Sequence, residues 1–179
     1  MFRRLLGMVH RGIPPIPKPD LSALSEIGDG PDRAWQRLNL WWQATGSDVT
    51  IGINSSVAVA ALAERYDATL PADFQAYLLH GCPVAEETMD HELGTWWPLE
   101  RIRNLLDEDG CGSDPELPGE GARYLLFADH LMWCWAWAIS CEPGATYGHV
   151  VRVSDTIGTV AVSFTDFVER YTTDWQSIG

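Results

Sequence analysis

From about residue 32 to 107 the apolar residues of this chain recur mainly every three to four positions; from residue 122 to about 164 they recur every second position. That change of period constrains the fold more than any other feature, because 3.6 is the repeat of a helix with one buried face and 2 that of a strand. The segments ARYLLFAD (122–129), MWCWAWAIS (132–140), HVVRVS (149–154) and TVAVSF (159–164) read as successive antiparallel strands with turn formers between most of them. Ahead of them, helices are predicted over 32–45, from Ser55 or Ser56 to near Tyr66, from Pro71 to Gly81 and over about 98–107. A closing helix opens at Ser163 or Thr165, with Phe164, Phe167, Val168 and Tyr171 on its apolar face. Helices first, strands second and a final helix define an α+β domain, a mainly antiparallel sheet of about four to six strands packed with helices.

The run MWCWAWAIS raises the sharpest question, because nine tryptophans in 179 residues is several times ordinary usage. Leu131, Trp133, Trp135, Trp137 and Ile139 fall on one face of the predicted strand, and Met132, Cys134, Ala136, Ala138 and Ser140 on the other. Burying one indole removes roughly 150–250 Å² from water, so the large face belongs to the core, while the small face suits a helix lying close. The expectation is that Trp135 packs inward and that Trp133 or Trp137 reaches the rim, where tryptophan serves well as an interface anchor.

Residues 12–31 hold five of the eleven prolines and read as an extended linker, so the predicted organisation is a basic, proline-rich extension (1–31) followed by one domain (32–179). The apolar run between Arg4 and His10 is too short for an export signal. Four cysteines without such a signal imply reduced thiols and a cytoplasmic location. Net charge is −13, and Arg3, Arg4, Arg11 and Lys18 sit in the first 18 residues with no acid. The rest carries eight basic against 25 acidic groups, a net of −17. Such a body repels phosphates, which argues against direct nucleic-acid binding, and attracts a basic protein. No stretch is long and apolar enough for a membrane span, and a monomer or weak dimer is expected.

EETMDHE gathers Glu86, Glu87, Asp90, His91 and Glu92 and is the best acid–base candidate, but carboxylates in one exposed loop stay solvated unless burial or a fixed partner shifts them. DEDGCGSDPE places Asp107, Asp109 and Gly112 as a calcium loop would, and fails at Cys111 and Pro118 where ligands should stand. His80 and Cys82 lack a second pair for zinc. Each cysteine has a histidine (His80, His91, His130 or His149) as a conceivable base; Cys134, alternating with tryptophans, is expected to be buried and inert. No cofactor and no metal is expected, and no enzyme signature rises above background.

The order of motifs resembles the SUKH superfamily, which includes bacterial immunity proteins and a fungal regulator of cell-wall assembly. Glu64, Leu70, Pro71, Asp73, Phe74, Tyr77 and Leu78 match its first motif, and Pro98, Leu99 and Ile102 its "PL-x-x-I" segment. Phe127, Ala128 and Asp129 match the strand of the "lifadd" type, and Ser163, Phe164 and Phe167 the closing "SF-x-x-F" helix. The resemblance spans roughly residues 33–175. It implies a non-enzymatic protein-binding domain, an immunity protein that neutralises a basic toxin domain through an acidic surface; a scaffold or regulatory adaptor, or an enzyme using the Glu86–Glu92 loop, are the alternatives. The expected contact residues are Glu86, Glu87, Asp90, Glu92, Trp96, Asp107, Glu108, Asp109, Trp133 and Trp137.

Overall fold

A computed structural model describes residues 20–85, 88–108 and 123–179. Helix α1 (Arg33–Thr45) is closed by Gly46 in the left-handed region at φ 69°, and α2 (Ser56–Arg65) is capped by the Ser55 hydroxyl, which accepts the Ala58 N–H. Helix α3 (Ala72–His80) starts after Pro71, and α4 (Phe164–Thr173) is capped by Ser163, which accepts the Asp166 N–H. Asp73 in the first turn of α3 accepts both the N–H (2.9 Å) and the hydroxyl (2.8 Å) of Thr165, which joins the starts of α3 and α4.

Among the described residues six antiparallel strands form one sheet: β1 (Gly94–Trp96), β2 (Arg103–Asn104), β3 (Tyr124–His130), β4 (Trp135–Ser140), β5 (Val150–Val153) and β6 (Ile157–Ala161). Their order is β1-β3-β4-β5-β6, with β2 also pairing with β3. The α+β architecture read from the sequence is the one observed. Helices α1, α3 and α4 pack on one another and on the sheet around an aromatic core. Trp96 lies at its centre, edge-on to Trp42 (5.6 Å) and Tyr171 (5.2 Å) and close to Phe127, Phe164 and Phe167.

A register shift in β3 sets which side chains face the helices. Leu126 pairs with Ala138 but Ala128 pairs with Trp137, so Phe127 is an extra residue and alternation restarts after it. Past the bulge Ala128 and His130 share a face with Trp137 and Trp135, and Asp129 turns to the opposite face with Ala136.

Four local expectations are corrected. Residues 98–107 do not form a helix: two single 3-10 turns, Leu99–Arg101 and Leu105–Asp107, flank β2, because pairing with β3 draws Arg103 and Asn104 into the sheet. The tryptophan strand begins at Trp135, since residues 131–134 form the β3–β4 turn. Its large face meets the helices: Trp137 packs on Phe167 (5.4 Å) and Tyr171 (5.8 Å) and is fully buried, while Trp135, at the strand's first position, is half-buried. Cys134 lies in the turn and is exposed. Of the segment read as a linker, residues 1–19 lie outside the described residues, whereas Leu24, in a 3-10 turn at Ser22–Glu26, is buried beside α1. No helix among the described residues is long and apolar enough to cross a membrane.

Candidate functional site

Among the described residues two aspartates are buried within the fold, one on each side of the sheet, and each organises a turn at the same end of it. Asp90 precedes β1. Its Oδ1 accepts the N–H groups of Glu92 and Gly94, both at 3.0 Å, folding residues 90–94 into an Asx-type turn. Its Oδ2 accepts the indole N–H of Trp42 from α1 (3.2 Å) and of Trp96 from β1 (2.9 Å), and the Tyr171 hydroxyl from α4 donates at 2.9 Å to the carboxylate. Burial pushes this carboxyl above its ordinary 3.8, and the Tyr171, Trp96, Trp42 and Gly94 donors pull it back only in part. Gly94 is required here: a Cβ would stand 2.1 Å from the Tyr171 hydroxyl.

Asp129, near the end of β3 and facing away from the helices, is the second node. Its Oδ2 accepts the Trp97 indole N–H at 2.7 Å and a 3.4 Å contact from Arg101, whose guanidinium lies 4.2 Å over the Trp97 ring. Its Oδ1 accepts the Trp133 N–H at 3.2 Å, and Trp133 packs 5.6 Å from Trp97.

Held between these nodes is an unusual backbone. Leu131, Met132 and Trp133 have φ of 46°, 52° and 73°, and Leu93 in the neighbouring turn has 63°. The left-handed region costs an L-residue with a Cβ about 1–2 kcal/mol, and three occur in succession. The Leu131 N–H donates to the Leu93 carbonyl at 3.1 Å, so the two turns are one unit. Trp133 is half-buried against Trp97, but Met132 is 81% exposed, and Leu93, Leu131 and Met89 also face water, so burial does not offset the strain at these positions. Glu92, Asp155 in the β5–β6 turn and Asp174 after α4 stand at this end as well, giving an apolar tip with an acidic rim.

The predicted contact residues divide among four places. Glu92 and Trp133 are at this end. Asp90, Trp96 and Trp137 are buried, and the expectation that they meet a partner is corrected: the first two bond each other inside the fold, and Trp137 donates its indole N–H to the Ile178 carbonyl at 3.1 Å. Asp107 and Glu108 lie further along the β2 edge, where Asp107 accepts the Tyr66 hydroxyl (3.0 Å) and Glu108 pairs with Arg103. Glu86, Glu87 and Asp109 lie outside the described residues. The described part of the acidic loop does not converge on one point either: Asp90 faces the core, while His91 sits at the surface, edge-on to Trp41. Among the described residues no three His, Cys, Asp or Glu side chains gather to hold a metal ion. Leu93, Leu131, Met132 and the anchoring role of Asp129 were not foreseen. The available signal was Asp129 itself, a carboxylate that follows the apolar run Leu125–Ala128 in the strand.

Fold and site together define a class: an α+β domain that presents a strained, hydrogen-bonded apolar turn at one end of its sheet. No family model, curated protein or solved structure matches the chain.

Proposed function

We propose that this chain is a protein-binding domain of the immunity type, which neutralises a basic toxin domain by inserting the Leu131–Trp133 turn into an apolar recess while the acidic rim meets the partner's basic surface. The observation that carries the reading is the left-handed, solvent-exposed apolar turn tied down by Asp129. Strain of this kind persists where the surroundings over-determine it, and it gathers at recognition surfaces. Two further facts support the reading: the net charge of −13, which speeds encounter with a basic partner, and the resemblance of the motif order to SUKH proteins.

The test is genetic and then biochemical. The gene beside this one should encode a toxin domain, and cells expressing that domain should survive only with this chain present. In a pull-down the toxin should be retained by the native chain and lost with Met132→Asp, whose near-ultraviolet circular dichroism stays native. No neighbouring toxin gene, or survival without this chain, would overturn the proposal.

A further inference from the structure

A second surface lies away from the sheet end, along residues 50–54. Residues 50–52 of this segment run antiparallel to residues 82–84, and Asn54 bonds back to the end of α3. The Gly52 N–H donates to the Cys82 carbonyl, the Asn54 N–H to the Leu79 carbonyl and the Val84 N–H to the Thr50 carbonyl, each at 3.0 Å, and Ile51 bridges Pro83 in antiparallel fashion. A Cβ at position 52 would stand 2.3 Å from the Val84 side chain, so glycine permits this close pairing. All three bonds use the even-numbered residues of the segment. In extended chain the backbone groups of successive residues point to opposite edges, so Ile51 and Ile53 turn theirs outward, and neither has a backbone partner among the described residues.

The side chains beside this open edge are apolar and exposed. A groove of about 690 Å³ is lined by Trp35, Ile51, Gly52, Ile53 and His80, with Asp32 as its one carboxylate. Ile53 is 85% exposed, and Val57 and Val84 nearby are also largely in water. Asp32, which accepts the Trp35 indole N–H at 2.8 Å, and Asp48, two residues before the edge, are both exposed.

The geometry points to a β-augmentation site. An extended segment of a partner polypeptide adds as a strand along residues 50–54, seats aliphatic side chains of alternate positions in the Trp35–Ile53 groove, and carries lysine or arginine to meet Asp32 and Asp48. Unpaired backbone groups call for a strand, the groove for aliphatic side chains, and the acidic flanks for a basic sequence. This surface is independent of the Leu131–Trp133 turn and stands or falls without the immunity reading.

The probe is a fluorescein-labelled heptapeptide of alternating valine and lysine, titrated onto the full chain and followed by anisotropy. Saturable binding is expected. Methylating the peptide's backbone nitrogens on one parity should weaken it about tenfold or more while the other parity binds as before, because only one set of N–H groups faces the edge. Ile53→Lys should weaken binding to a similar degree with an unchanged circular dichroism spectrum. No saturable binding, equal binding by both methylated peptides, or an Ile53-dependent dimer of the chain that excludes the peptide would overturn the inference.

Discussion

Asp90 shows how one residue can read as a surface group in sequence and be an internal one in fact. Its neighbours in the chain are mostly acidic or polar, yet its carboxylate ties three elements, α1, β1 and α4, to its own turn. Replacing it with Asn keeps the shape but turns an amide N–H₂ toward donors, a loss of about 2–4 kcal/mol of stability. Because its carboxyl is raised in the fold, the native state binds this proton more tightly than the unfolded chain. Its contribution is therefore full below the ordinary 3.8 and declines as pH rises from there through the raised value. Urea denaturation of the native chain and Asp90→Asn at several pH values should show their stability difference shrinking as pH rises through that window. Met132 behaves in the opposite way. Met132→Gly relieves a left-handed backbone at an exposed site and should raise stability by about 0.5–1 kcal/mol by the same measurement; under the proposed function it should also weaken binding of the toxin domain. Cysteine reactivity follows position too. Burial pushes the Cys82 and Cys141 thiols up to about 12, and Cys134 is exposed, so among these three a thiol-specific reagent should label Cys134 first under native conditions, as peptide mapping would show.

At the scale of elements, the strand β4 was legible as a strand, and its three tryptophans were not legible as to burial. Period 2 separates the faces of one strand but does not say where the strand starts or which ring lies under a helix. Here the four-residue turn displaces the start to Trp135, and α4 covers Trp137. Trp137→Ala should cost about 3–5 kcal/mol in thermal or chemical unfolding, and Trp135→Ala about 1–2 kcal/mol, the reverse of what strand-centre reasoning on 132–140 implies. The bulge at Phe127 hid Asp129 in the same way: unbroken alternation would put it on the face of Leu125 and the helices, whereas the extra residue sends it across the sheet to Trp97 and Arg101. Helices marked by local chemistry fared better. Ser55, Ser163 and Gly46 act on residues within a few positions of themselves, so α1, α2 and α4 could be read within a residue or two. The stretch at 98–107 failed because a distant strand, β3, competes for its backbone.

For the whole molecule, charge is the property the sequence states most directly and the fold distributes. A body at −13 gains encounter rate with a basic partner over distances comparable to the screening length. If the proposed partner is engaged in this way, its association rate in stopped-flow should fall about tenfold between roughly 0.05 and 0.5 M salt, while its dissociation, governed by the apolar turn, changes far less. Among the described residues, the predicted acidic contacts do not assemble into a single patch, because Asp90 lies inside and Asp107 and Glu108 take local partners. By itself the sequence determined the α+β class, the helix caps, the aromatic core composition and the charge, since each depends on local periodicity, capping chemistry or a sum over residues. Only the tertiary structure decided which tryptophans are buried, which aspartates became anchors, and that two distant turns meet as one strained apolar tip. Those outcomes rest on strand register, one bulge and side chains brought together from far along the chain, where no local pattern carries the information.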